Sequence, residues 1–299
     1  MDAILYREGK VRNVYYLTEQ FLRNLLFMVF TDRVSANDRV VGEIKDKGKV
    51  LWILTVFFKQ LFSDIIENDI VSHDQEKITS TIDIKNMDRC SGRMLIVQKA
   101  IAIPMECIVR GYFTGSFAKA YAEGKAWTQG FSISLNIQKN DKLVEPIFTP
   151  STKGEKDEYL PKVEMIEFLR SWLDSQKIEL NAGWLYNELK KYSLKLFIAG
   201  KQYTDKCGIT LLDAKFEFGL VKNSDNSYKI IWIDEGITPD TARLRLKETL
   251  EGLDKDDVRK DVAENGFLGK KVAEKTRQKY LKAARMLAPA LFAKVFPDA

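Results

Sequence analysis

LDAKFEFG (212–219) and, beyond the turn-forming KNSDNS (222–227), IWIDEGITPDTAR (231–243) set the reading of the whole chain. Each has the composition of a strand, and the Asn- and Ser-rich link that of a turn. Successive strand residues point to opposite faces. Asp213, Lys215 and Glu217 therefore share one face, and Leu212, Ala214, Phe216 and Phe218 the other. A turn centred between Asp225 and Asn226 sets Glu217 opposite Asp234. Like charges directly across a sheet are destabilising, so facing carboxylates call for a cation between them. A divalent ion held by one or two carboxylates plus substrate phosphates is one resolution. A solvent-facing hairpin of mixed charge is the other.

Working outward, the 299 residues suffice for one large domain or two lobes. With 45% hydrophobic and 30% charged residues the composition is that of an ordinary soluble globular protein. The net charge of +5 is interspersed along the chain. It suits a phosphorylated small molecule and leaves a nucleic-acid groove open on charge alone. Cys90, Cys107 and Cys207 are scattered and odd in number, which speaks against a disulfide framework or a zinc site and for a reducing, cytoplasmic setting. The N-terminus has no apolar signal-peptide core, and no apolar run reaches membrane-spanning length. The single histidine, His73, lies in a polar stretch without a nucleophile-elbow sequence. Lys, Arg and carboxylates must carry the chemistry, which favours phosphate handling over hydrolytic triads.

Along the chain, residues 3–17 read as strand, turn and strand around Gly9, and 25–31 as a further strand. Residues 47–62 have apolar spacing of a helix. Residues 93–100 and 106–110 read as strands broken at Pro104. A helix follows Gly115 with Ser116 as its expected N-cap. Helices are also expected over 161–176, over 181–206 with Gly208 as the stop, and as one element over 270–295. Strands dominate the first third and helices plus one hairpin the rest. The expected class is α+β, with an antiparallel N-terminal sheet lobe (1–104), a larger α/β C-terminal lobe (105–299) and a site in the cleft between them.

Several segments bear groups suited to that site. GKVR (9–12) puts Lys10 and Arg12 beside a glycine turn, where they can cover nucleotide phosphates or simply be solvated. In VRGYFTGS (109–116) a strand ends at Arg110 and a helix begins near Ser116. A helix N-terminus with an arginine can bind an anion, and it can equally be a capped surface helix. TDRVSAND (31–38) offers Arg33, Ser35 and Asp38. KDKGKV (45–50) offers Lys47 and Lys49. FTPSTKGEKDE (148–158) offers Lys153 and Asp157.

In this order, GKVRNVY, TDRVSAND with KGKVL, IPMECIVRGYFTGSFAKAY, EPIFTPSTKGEKDE, GITLLDAKFEFGL and IDEGITPDTAR resemble the SAICAR synthetase family. They span residues 9–243, and beyond about 262 nothing is matched. The resemblance implies a two-lobed fold with ATP and Mg²⁺ in the cleft. The implied reaction joins the carboxylate of carboxyaminoimidazole ribotide (CAIR) to L-aspartate. By position, Glu217 and Asp234 would hold the metal, and Lys10 and Arg12 would lie over the triphosphate. Lys99, Ile101 and the backbone to Ile103 would face the adenine, with Glu106 near the ribose. Arg110, Ser116 and Arg243 would grip the ribotide phosphate, and Lys215, Asp213 and Asp240 would line the reacting centre. Ser35, Asp38, Lys153 and Asp157 would close on the imidazole and aspartate. The partners implied are these small molecules, with no nucleic acid or membrane.

Five positions depart from the family pattern: Asn37, Lys156, Ala214, Thr241 and Ala242. A hydroxyl missing at Ala242, beside Arg243, is expected to weaken the phosphate contact by roughly 1.5–3 kcal/mol. Thr241 offers a replacement if the loop is shifted. Two other functions stand beside the aspartate ligase: a sister ligase with a different amine or nucleotide, and a non-catalytic nucleotide or RNA binder.

Overall fold

The computed structural model describes residues 2–19, 22–36, 39–83, 90–123, 136–153 and 158–298. The N-terminal half contributes β1 (Ala3–Glu8), β2 (Arg12–Leu17), β3 (Leu25–Phe30), β4 (Arg33–Ala36), β5 (Arg39–Glu43), α1 (Lys47–Leu61), β6 (Ile70–Ser72), α2 (Gln75–Thr81), β7 (Met94–Gln98) and β8 (Ile101–Ala102). There follow β9 (Met105–Tyr112), α3 (Gly115–Ala122), β10 (Lys142–Phe148), β11 (Ser151–Thr152), α4 (Lys162–Ser175), α5 (Ala182–Lys206), β12 (Ile209–Lys222), β13 (Tyr228–Ile233) and β14 (Ala242–Leu246). Three helices close the chain: α6 (Asp256–Asn265), α7 (Lys270–Leu287) and α8 (Pro289–Val295).

Five antiparallel strands, in the order β1-β2-β3-β7-β6, make the first sheet. The second is organised around β12, with the path β10-β9-β12-β13 and with β14 and β8 also on β12. The ladder partners of β12 change along its length. Residues 209–214 pair with β14 and 217–222 with β13 on one edge, while 213–216 pair with β9 and 219–220 with β8 on the other. The neighbours diverge around Lys215 and Glu217, and the cleft opens there. The opposite face of β12 puts Ala214, Phe216 and Phe218 into the main core with Leu196 and Phe197 of α5. The same core takes in nearly the whole of α1, so the two sheets share one apolar interior.

Local chemistry accounts for the element ends. Asn181 caps α5 by accepting from the Trp184 amide at 2.8 Å, and Gly208 ends it in the left-handed region at φ +74°. The expected single helix over 270–295 is two, because Pro289 has no amide to continue α7. IWIDEGITPDTAR is a strand only to Ile233. A loop of 234–241 separates it from β14. The α3 N-cap is Thr114, and Ser116 is the second helical residue.

The hairpin register is shifted by one from expectation: Glu217 pairs with Ile233 and Phe218 with Trp232. The cause is an odd-numbered turn. The Asp225 carboxylate accepts from the Ser227 amide at 2.9 Å, and Asn226 adopts φ +66°, a conformation asparagine tolerates. Asp234 thus lies one residue past the ladder, at φ +68°.

Candidate active site

The site is read along β12. Asp213, Lys215 and Glu217 line one side of the strand, and each meets ions from elsewhere in the fold. Asp213, buried at 5% exposure, accepts from Arg110 on β9 at 3.1 Å and from Arg243 on β14 at 2.8 Å. The register forces this triple, since Asp213 is paired with Arg110 on one edge and Arg243 on the other. The Arg110 guanidinium is sealed in by Thr149, Tyr159 and the Thr114 carbonyl. Arg243 is more open, and Asp256 stands 3.5 Å from it. Burial opposes its charge, but Asp213 and Asp256 more than offset this and raise its pKa.

Arg243 opens into a cavity of about 390 Å³ at the start of α3, where Lys119, Lys139, Arg245, Arg259 and Lys260 face one carboxylate, Asp256. Gly115 adopts φ +68° there, and a Cβ on it would lie 2.6 Å from the Arg243 guanidinium. Ser116 enters the same helix turn.

Two residues along, Lys215 bridges Glu106 at 2.5 Å and Glu217 at 3.4 Å. Lys153 also pairs with Glu217. Burial would raise the Glu217 carboxyl, yet Lys215, Lys153 and Arg12 together hold it down at about 2. Lys215 is pushed the other way: burial disfavours its charge, and Glu217 and Glu106 raise it above the ordinary lysine value. Both are therefore ionised across the neutral range.

Beyond Glu217 the first sheet closes over. Arg12 of β2 pairs with Asp234 and stands 3.8 Å from Glu235. Lys10, in the β1–β2 turn, is exposed above it. That turn is fastened by Arg33, which donates to the Gly9 carbonyl at 2.8 Å and to Asn13 at 2.5 Å. Lys99 is exposed with its ammonium 5.3 Å from the Tyr16 ring, and the partly exposed Ile101 pairs with Leu220. Ser35 is half-buried on β4, opposite Val40.

The fold thus gathers Arg12, Glu106, Lys153, Asp213, Lys215, Glu217, Asp234 and Arg243 along β12 and its neighbours, with Arg110 buried behind Asp213 and Lys10 exposed in the β1–β2 turn. Asp240 stands apart. Itself part of the 234–241 loop, it turns its side chain inward onto Lys47, Lys255 and Tyr280. Asp38, Asp157, Asn37 and Lys156 lie outside the described residues. The mixed-charge solvent hairpin is not what forms, since Asp213 and Glu217 are both buried.

Two features escape strand-by-strand reading. Glu235 is a second carboxylate beside Arg12, and unlike Asp234 it is buried; its signal in the sequence is its place next to Asp234. Ala242 points away from Arg243: residues 242, 244 and 246 are buried, and 243 and 245 form the other face. The missing hydroxyl is therefore not on the arginine's side of β14. Thr241 is engaged within the loop, donating to the Gly236 carbonyl at 2.8 Å.

A histidine-poor α+β cleft with a cationic cavity at one end and arginine-bound carboxylates at the other is that of a phosphate-handling enzyme. The chain belongs to the SAICAR synthetase family, whose model matches residues 5–276. It is 32% identical to phosphoribosylaminoimidazole-succinocarboxamide synthase of Pichia angusta, over 96% of each chain. It is 37% identical to that of Pelobacter propionicus, over 82% of this chain and 76% of the relative. In structure it resembles the SAICAR synthase of Saccharomyces cerevisiae complexed with SAICAR, with a TM-score of 0.79 and 28% identity over 96% of this chain and 95% of that one.

Proposed function

We propose that this protein joins the carboxylate of CAIR to the amine of L-aspartate while splitting ATP to ADP and phosphate, giving SAICAR in purine biosynthesis. One observation carries this reading. In a chain of this family, a single strand presents Asp213, Lys215 and Glu217 between a cavity lined mainly by Lys and Arg and the β1–β2 turn that leads into Arg12. The proposed division near residue 104 puts that turn in the first lobe and the strand in the second.

A carboxylate does not accept an amine, because oxide is a poor leaving group. In the proposed reaction a CAIR carboxylate oxygen attacks the γ-phosphorus, and the bond to ADP breaks. The neutral aspartate amine then attacks the acyl carbon, the C–O bond breaks so that phosphate departs with its electron pair, and the nitrogen releases a proton to water. Such transfers depend on in-line placement and charge neutralisation. Arg243 with Ser116 binds the ribotide phosphate, and Arg110 positions Arg243 through their shared Asp213. Lys215 neutralises the carboxylate and the phosphoryl group passing to it. Lys10 and Arg12 cover the triphosphate. Lys99, Ile101 and the following backbone face the adenine, and Glu106 reaches the ribose. Ser35, Asp38, Lys153 and Asp157 belong to the segments nearest the imidazole and aspartate.

The carboxylates fit Mg²⁺. Glu217 is an ionised, hard oxygen donor, and Asp234 and Glu235 reach the same arginine. No group of three acidic, His or Cys side chains suited to a metal occurs among the described residues. That agrees with an ion that takes one or two carboxylates and completes its shell with phosphate oxygens. When bound, Mg²⁺ supplies charge neutralisation on the nucleotide phosphates.

The test is ADP release by purified protein given ATP, Mg²⁺ and CAIR, with each amino acid in turn. Release with aspartate alone supports the reading. Release with another amine and not aspartate would replace it with the sister ligase.

A further inference from the structure

Residues 234–240 connect β13 to β14 without joining a ladder. Asp234 and Glu235 stand at the start of this loop. Arg243, beyond its end, is fixed independently by its register with Asp213. The Thr238 carbonyl accepts from the Ala242 amide at 2.9 Å, and beyond that tie side-chain and close backbone contacts locate the two carboxylates. The Gly236 amide donates to Thr55 on α1 at 3.2 Å, and a Cβ on Gly236 would lie 3.0 Å from the Thr55 Cα, so the loop rests directly on that helix. Within the loop, Thr238 donates to Glu235 Oε2 at 2.7 Å.

The far end is fixed by the Lys215 amide, which donates to the Thr241 carbonyl at 2.9 Å, and by Asp240, whose side chain is 4% exposed. Its two oxygens are divided between partners. Oδ2 faces Lys47 of α1 at 3.0 Å and Lys255 at 3.6 Å, while Oδ1 accepts from the Tyr280 hydroxyl of α7 at 2.6 Å. The lysines answer the charge, and the hydroxyl fixes the plane of the carboxylate. Tyr280 is fully buried, and its hydroxyl donates to Asp240.

We infer that Tyr280 is a positioning residue for the nucleotide half of the site, acting through Asp240 on the loop that carries Asp234 and Glu235. The inference rests on the reading that these two carboxylates face the nucleotide and its metal. It gives the C-terminal helix, which no motif explained, a part in the reaction, and it takes Asp240 away from the reacting centre. Because β14 holds Arg243 through its register with Asp213, the effect is expected on the nucleotide side.

The test is Tyr280→Phe, which removes the hydroxyl and keeps the ring, set against Tyr203→Phe. The Tyr203 hydroxyl donates to the Leu287 carbonyl at 2.8 Å and so fastens the same helix without touching the loop. Affinity is measured by calorimetry for ADP with Mg²⁺ and, separately, for CAIR. Tyr280→Phe is expected to weaken ADP·Mg²⁺ binding about tenfold, the scale of one lost hydrogen bond to a charged group, and to leave CAIR binding unchanged. Tyr203→Phe should lower the melting temperature without altering either affinity. Unchanged ADP affinity in Tyr280→Phe, or an equal loss in Tyr203→Phe, overturns the inference. Should Tyr280→Phe not fold, Lys255→Gln, which strips another Asp240 contact at the partly open edge, decides by the same ADP measurement. A wild type that binds ADP but releases none with aspartate refutes the proposed reaction alone. One that binds no ADP refutes both.

Discussion

Two cation–carboxylate clusters in this molecule use the same groups to different ends. Around Lys215, the partners Glu106, Glu217 and Lys153 line a cleft, with Lys153 at 40% and Lys215 at 31% exposure. Around Asp240 the partners are far less open, with Lys47 and Tyr280 fully buried and Lys255 at 12% exposure. Ions in the first cluster can exchange one another for a phosphate or a carboxylate of substrate. Those in the second cannot, since leaving a partner strands a charge in the interior. Pairing alone does not distinguish a site from a structural anchor; access does.

Removing an ion from each cluster breaks the comparison most sharply. Glu217→Ala is expected to cut turnover by about 10²–10³-fold or more while the protein still melts cooperatively, because a preorganised charge is lost from the reacting region. Near-normal kcat in that variant would remove Glu217 from the chemistry. Asp240→Asn should act first on stability, and on turnover only through weaker ADP·Mg²⁺ binding. It leaves Lys47 and Lys255 short of a counter-charge, costing about 3–5 kcal/mol of stability by urea unfolding.

Arg243→Ala acts at the cavity end. Loss of a charged hydrogen bond is worth about 1.5–3 kcal/mol, so the KM for CAIR should rise roughly 10- to 100-fold with little change in the KM for ATP. Comparable rises in both would mean that the two ends of the cleft are not separate.

The pH dependence sharpens the contrast further. Glu217 is held at about 2, below its ordinary 4.5, so its ionised form is favoured by folding. Its contribution is present above the unfolded value and is lost as pH falls from about 4.5 towards 2. Lys215 is raised, so its contribution is full below the ordinary lysine value and fades only in strong alkali. Urea midpoints across the acid range should fall less steeply in Glu217→Gln than in the wild type. An identical slope would show that other carboxylates, Asp240 among them, carry the whole acid response.

Ala242→Ser has the smallest expected effect. The side chain at 242 lies on the face of β14 opposite Arg243, so the KM for CAIR should move by no more than about 0.5 kcal/mol. A marked fall in KM would restore the idea that the alanine impairs phosphate binding.

The sequence by itself determined the strand faces of β12, most helices and the set of charged residues from which the cleft is made. Alternation along a strand and caps at helix ends depend on neighbours a few residues away, so Asp213, Lys215 and Glu217 could be assigned to one face directly. Tertiary structure decided the hairpin register, the break at Ile233, the burial of Ala242 against the core and the removal of Asp240 from the cleft. These depend on contacts between distant segments: Tyr280 reaches Asp240 across forty residues, and Lys47 reaches it from the other end of the chain. No local pattern encodes such a meeting, because it arises only when separately formed elements pack around one core and each buried charge must find its partner there.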